Sequence, residues 1–261
     1  MPFALLDRRL APAPDPARAG WLGTHTYAHR GLHGGGVEEN SSGAFALAIA
    51  RGLGIECDVR LSKDERAIVF HDATLERLTG REGRLDALGV AEITRLALTT
   101  GGERVPTLRD VLDQVAGRVP LLLEIKSDKG QSFRAIRALC RTVRRELDGY
   151  HGPVAIMSFD PRVGGWFARK APDVLRGLVV TEQGRRTFSG TIRRHLALWE
   201  ARAQFLAYDV RDLPSDFAGQ QRRRGLPLLT WTVNTPALRQ RAAEYADAPI
   251  AEAGGLVAHN G

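Results

Sequence analysis

Leu121-Leu122-Leu123-Glu124-Ile125-Lys126 is the stretch on which the fold reading turns. A strand with one wet face alternates apolar and polar residues. An unbroken apolar run closed by polar residues marks a strand buried on both faces, as in a parallel sheet. The same form recurs along the chain. It predicts strands over Thr24–Gly31, Gly54–Ser62, Pro120–Ser127, Pro153–Asp160, Leu175–Gln183, Gln204–Val210, Pro227–Asn234 and Ala248–Glu252. Between them the apolar spacing is helical, over Asn40–Arg51, Ser132–Tyr150, Pro161–Lys170, Thr187–Ala203, Ser215–Arg224 and Pro236–Tyr245.

About eight strands alternating with helices predict an α/β fold of the (β/α)8 TIM-barrel class, a single domain over residues 1–261. A doubly wound sheet is the competing topology. It would be announced by a phosphate loop, whereas Gly34-Gly35-Gly36 has neither GxGxxG nor Walker spacing and reads as a connection. Residues 63–119 break the alternation between the second and third barrel strands. They hold a short strand (Ala67–His71), a polar turn around Thr79–Gly83, and helical patterns at Val90–Leu96 and Leu108–Ala116. This is read as a small insertion over the barrel mouth, with the last helix returning the chain to the scaffold.

Composition agrees with a globular chain: 261 residues, 43% hydrophobic, 26% charged. The net charge of +7 favours anionic partners, against the plainer reading that Arg-rich exposed helix faces keep the chain soluble. Clusters such as Arg144-Arg145 and Arg222-Arg223-Arg224 lack interleaved aromatics, so no nucleic-acid partner is expected. Two cysteines, Cys57 and Cys140, in a strand and a helix, suggest no disulfide framework. The Pro- and Ala-rich start, Met1 to Ala19, lacks the pattern of a signal peptide, and no run reaches membrane-spanning length, so the expected location is cytoplasmic.

Barrel enzymes place chemistry at the C-terminal ends of strands, and the polar residues follow that rule. His29 and Arg30 close the first strand, Glu56 and Asp58 sit in the second, and Glu124 and Lys126 end the third. Side chains alternate with period two, so Glu56 and Asp58 share a face with Cys57 opposite, and Glu124 and Lys126 share a face with Ile125 opposite. Adjacent strands would bring three carboxylates together. They repel and resist burial unless a hard divalent cation, Mg²⁺ or Ca²⁺, is held between them. The competing reading pairs each acid separately with an Arg or Lys on a barrel rim.

Two histidines, His29 and His71, flank this group and suit a proton acceptor and donor across a phosphoester. His25, His33, His151, His195 and His259 are read as structural. Arg30 can fork onto phosphate oxygens and Lys126 can add a point charge. Asp72 reads as a turn residue, with orientation of a histidine as the alternative. Asn40 reads as a helix N-cap, with a supporting role near the metal as an alternative for Glu39-Asn40. Trp231, in Trp231-Thr232-Val233-Asn234, either walls the substrate pocket or fills the barrel top; Glu252 is equally two-sided.

The ordered set His29-Arg30-Gly31, Glu39-Asn40-Ser41 with Ala44-Phe45, Glu56-Cys57-Asp58-Val59, Ser62-Lys63-Asp64, His71-Asp72, Thr79-Gly80, Val105-Pro106-Thr107-Leu108, Glu124-Ile125-Lys126 and Trp231-Thr232-Val233-Asn234 resembles the glycerophosphodiester phosphodiesterases. The resemblance covers roughly residues 24 to 252. It implies a metal-dependent (β/α)8 barrel that cleaves a small-molecule glycerophosphodiester to sn-glycerol 3-phosphate and an alcohol. In that pattern the metal ligands are Glu56, Asp58 and Glu124, the acid-base pair is His29 and His71, and the phosphate contacts are Arg30 and Lys126. Glu38 stands where the family often has Pro, Glu65 where it usually has Gly, and Ala251-Glu252 where Thr-Asp is common. Two rival readings keep the motifs. One is lysophospholipase D chemistry on lysophospholipids, with peripheral membrane contact through the basic surface. The other is a phosphodiester-binding module without turnover. The sequence leaves the oligomeric state unassigned.

Overall fold

The computed structural model describes residues 3–128, 130–183 and 186–256; His259 lies outside them. The lead-in forms two short helices, α1 (Ala4–Leu10) and α2 (Pro16–Ala19), before strand β1 (Tyr27–Ala28). The helix α1 was not predicted from its Pro- and Ala-rich surroundings. Contacts divide the chain into two compact units, Ala28–Val154 and Met1–Tyr27 with Ala155–Gly261.

The first unit contains α3 (Ser42–Ala50), β2 (Gly54–Leu61), β3 (Ala67–Val69), α4 (Glu76–Thr79), α5 (Val90–Ile93), α6 (Leu108–Val115), β4 (Leu121–Ile125) and α7 (Phe133–Glu146). β2 and β4 run parallel, with Asp58 opposite Glu124 and Cys57 opposite Leu123. β4 is buried at every position, as its unbroken apolar run requires. β3 turns back antiparallel on β2, pairing Val59 with Val69. The stretch between β2 and β4 builds its own apolar cluster, including Ile68, Phe70, Leu75, Leu78, Leu85 and Ile93. That cluster fixes α4, a helical turn where only a polar turn was predicted.

The second unit adds β5 (Val154–Ser158), α8 (Pro161–Lys170), β6 (Leu175–Val180), α9 (Phe188–Ala201), β7 (Phe205–Asp209), α10 (Asp216–Arg223), β8 (Leu228–Val233), α11 (Pro236–Tyr245) and β9 (Ala248–Ala251). Its strands pair in parallel in chain order, Met157 facing Gly177, Val179 facing Ala207, and Leu206 facing Leu228. Helix starts follow local chemistry. Asp160-Pro161 and Thr235-Pro236 each place a capping oxygen before a proline at the first helical position. Here α1 docks through a buried carboxylate: Asp7 accepts from His195 Nδ1 at 2.8 Å, Trp199 Nε1 at 2.8 Å and Gln221 Nε2 at 3.0 Å.

Candidate active site

Each strand end of the first unit contributes to one cluster. After β1 the chain turns sharply, with Arg30 at φ 55° and Gly31 at φ 78°. Gly31 is required: a Cβ there would lie 2.8 Å from Ala44 Cβ and 3.0 Å from Phe45 Cδ1 of α3. The turn aims the Arg30 backbone N–H at Glu56 Oε2, 3.0 Å away, and brings His29 Nε2 to 4.0 Å from the same oxygen.

Glu56, Asp58 and Glu124 are buried, and one oxygen from each lies within 4.8 Å of the others. Lys126 Nζ bridges Asp58 Oδ1 at 2.8 Å and Glu124 Oε1 at 2.7 Å, so the rim ion pairs of the competing reading are present as well. Arg30 Nε lies 3.3 Å from Asp58 Oδ2. The cationic neighbours do not serve the three acids equally. Burial works against ionised Asp58, but Lys126 and Arg30 outweigh it and hold its carboxyl well below the usual range. Glu56 is the opposite case: burial, with Asp58 beside it, pushes it up to about 7. Burial also raises Glu124, against Lys126. Glu56 Oε1 is buried and has no hydrogen-bond partner among the described residues. A buried acceptor left in that state is costly, and a cation shared by three hard oxygens removes the cost. The donor set therefore fits Mg²⁺ or Ca²⁺ rather than a soft metal.

His71 sits in a bend just after β3. Arg60 Nε donates to its carbonyl at 2.7 Å, and its Nδ1 lies 2.6 Å from Asp72 Oδ1. Asp72 is held down at about 2: burial would raise it, but hydrogen bonds from Arg77 and His71 prevail. An ionised carboxylate only accepts, so Nδ1 of His71 carries the proton. Burial lowers His71 itself, against Asp58. Asp72 is thus more than a turn residue.

Two contributors, Arg60 and Arg77, escaped the sequence reading, and Asn40 takes its alternative place beside the carboxylates rather than the helix cap. Asn40 is not the N-cap of α3; Ser41 is, accepting from Ala44 N at 3.1 Å. Asn40, at φ 55°, instead donates Nδ2 to Asp58 Oδ2 at 2.9 Å. An Asn next to a better capping Ser was the available signal. Arg60 shares the face of Glu56 and Asp58 by strand alternation and could have been found that way. Arg77 came from a stretch with no strong periodicity. Trp231 sits on β8 in the second unit, where its indole donates to the Ala207 carbonyl at 2.9 Å and its ring meets Phe159 edge-on at 5.4 Å.

The glycerophosphoryl diester phosphodiesterase family model matches residues 29–251, from the first candidate histidine to the end of β9. The chain belongs to that family. Among curated relatives of this phosphodiesterase, a Bacillus subtilis protein named putative glycerophosphodiester phosphodiesterase YhdW is 27% identical over 79% of this chain and 85% of its own length. A Caldanaerobacter subterraneus glycerophosphodiester phosphodiesterase is 39% identical over a shorter stretch, 40% of this chain and 46% of that protein. Among solved structures, a putative glycerophosphoryl diester phosphodiesterase from Silicibacter pomeroyi superposes with TM-score 0.74 at 26% identity, covering 87% of this chain and 89% of that one. An Oleispira antarctica phosphodiesterase, solved in complex with the product sn-glycerol-3-phosphate, gives 0.75 at 22% identity over 87% and 92%. The phosphodiesterase fold is accordingly the (β/α)8 barrel expected from the strand count, with β3 as the extra strand. Among its described residues, no helix is long and apolar enough to cross a membrane.

Proposed function

We propose that this phosphodiesterase hydrolyses glycerophosphodiesters to sn-glycerol 3-phosphate and an alcohol, using one divalent cation held by Glu56, Asp58 and Glu124. The observation that carries the reading is Glu56 Oε1, without a hydrogen-bond partner among the described residues, inside a cluster of three buried carboxylates. The product bound to the Oleispira antarctica phosphodiesterase supports the choice of substrate class.

Bound there, Mg²⁺ or Ca²⁺ supplies Lewis-acid charge for a non-bridging phosphate oxygen. The remaining chemistry belongs to the chain. Arg30 and Lys126, already beside the carboxylates, offer positive charge to the phosphate as it gains charge at phosphorus. His29, next to Glu56, accepts a proton from the attacking oxygen, either water or the neighbouring glycerol hydroxyl. His71, its Nδ1 held by Asp72, gives the Nε2 proton of its imidazolium to the departing alkoxide. The expected location is cytoplasmic.

A release assay for glycerol 3-phosphate over several glycerophosphodiesters tests this, run with chelator and with metal added back. Metal-dependent release is expected, and alanine at His29 or His71 abolishes it. Near-normal turnover by both alanine variants contradicts the assignment. A diester lacking the neighbouring glycerol hydroxyl separates the two attacking oxygens: efficient hydrolysis excludes obligatory attack by the hydroxyl.

A further inference from the structure

The Arg77 guanidinium is bound by two carboxylates at once. Nε donates to Asp72 Oδ2 at 2.6 Å, while its two terminal nitrogens donate to Glu39, one to Oε2 at 3.0 Å and the other to Oε1 at 2.8 Å. All three nitrogens are engaged, although the side chain is 47% exposed. Glu39 is itself fixed from behind by Arg30, which donates to Oε1 at 2.8 Å. Both acids respond: hydrogen bonds from Arg77 help lower Glu39 and Asp72 against the burial that would raise them. The base of this arm is firm as well, because Leu75 and Leu78, on either side of Arg77 in the chain, are buried in the apolar cluster of the insertion.

We infer that Arg77 is a positioning residue for proton donation: Glu39 orients Arg77, Arg77 orients Asp72, and Asp72 holds the His71 imidazole with Nε2 toward the leaving group. The inference rests on the acid role proposed for His71. A guanidinium suits this place because its planar fork serves two carboxylates in fixed directions; a lysine ammonium on a flexible stem cannot. The insertion then supplies most of the clamp, Asp72 from the chain after β3 and Arg77 from α4, with Glu39 added by the β1–α3 loop.

The test uses leaving groups. A choline alkoxide needs a proton to depart, whereas p-nitrophenolate does not. Arg77→Ala, Arg77→Lys, Asp72→Asn and His71→Ala are assayed on glycerophosphocholine and on the p-nitrophenyl ester of glycerol 3-phosphate, with circular dichroism and divalent-cation affinity measured alongside. For both Arg77 variants the expected result is a kcat on glycerophosphocholine lower by roughly 10–100-fold, a fraction of a full general-acid contribution. KM and cation affinity stay within about 3-fold, and kcat on the p-nitrophenyl ester changes by less than about 3-fold. An equal fall on both esters, or none, overturns the inference, since a direct phosphate contact or loss of fold would not read the leaving group. If His71→Ala shows the leaving-group signature and Arg77→Ala does not, only the positioning role fails. If His71→Ala lacks it too, the acid role of His71 fails and takes the inference with it.

Discussion

Asn40 and Asp58 grip each other: the Asn40 amide donates to Asp58 Oδ2 at 2.9 Å, and the Asp58 backbone N–H donates to Asn40 Oδ1 at 3.3 Å. A side chain at the start of α3 thereby fixes the rotamer of a strand carboxylate. Residues that orient metal ligands in this way contribute to affinity without touching the metal. Asn40→Ala is expected to weaken divalent-cation binding by roughly 10–100-fold. Isothermal titration on the folded variant checks it, and an unchanged affinity would remove Asn40 from the site.

The carboxylate cluster also predicts a pH dependence of stability when the protein is stripped of metal. Glu56 is raised from 4.5 to about 7 in the folded protein. Between those values the folded state binds more protons than the unfolded one, so the Glu56 contribution to stability falls as pH rises through the window. His71 is lowered and slopes the other way, its contribution growing as pH rises through its unfolded value. The informative quantity is therefore the difference between wild type and Glu56→Gln in urea melts with chelator present. Wild type should lose stability relative to the variant from pH 4.5 to 7. A flat or rising difference contradicts the burial argument.

Much of this was legible in the sequence because parallel strands buried on both faces leave a strong signature. The eight strands and most helices fall where apolar runs and Pro or Thr starts put them, and Glu56, Asp58 and Glu124 converge because period-two alternation and the β2–β4 register leave them no other arrangement. What was not legible depends on partners distant in sequence. The clamp around Arg77 joins positions 39, 72 and 77, and no local pattern marks such a triad. Asn40 carries a cap-forming residue type, yet Ser41 takes the cap.

The unusual Glu65 has a physical reading. It stands where a glycine is usual in the family pattern, and its φ is 56°, in the left-handed region that costs a side-chain-bearing residue about 1 kcal/mol. Its partner Arg141 lies 3.3 Å away, with both side chains exposed, an ion pair worth little in water. Glu65→Gly should stabilise the protein by about 1 kcal/mol, read as a higher melting temperature. Destabilisation would show that the Arg141 pair outweighs the backbone strain.

Helix α1 was missed because Pro and Ala dominate the lead-in, yet its Asp7 is fully buried with three side-chain donors around it. Removing the acceptor leaves those donors unpaired in a buried site. Asp7→Ala is expected to cost roughly 3 kcal/mol or more in chemical denaturation. A loss under about 1 kcal/mol would mean that the lead-in docks by its apolar contacts alone.

The central claim is that three buried carboxylates hold the cation on which hydrolysis depends. It is tested most directly by titrating Mg²⁺ and Ca²⁺ into chelator-treated wild type and Glu56→Gln while following glycerol 3-phosphate release from glycerophosphocholine. Wild type should bind one ion per chain and regain turnover in step with occupancy, and Glu56→Gln should lose both together. Full turnover by metal-free protein, or undiminished binding and activity in Glu56→Gln, would contradict it.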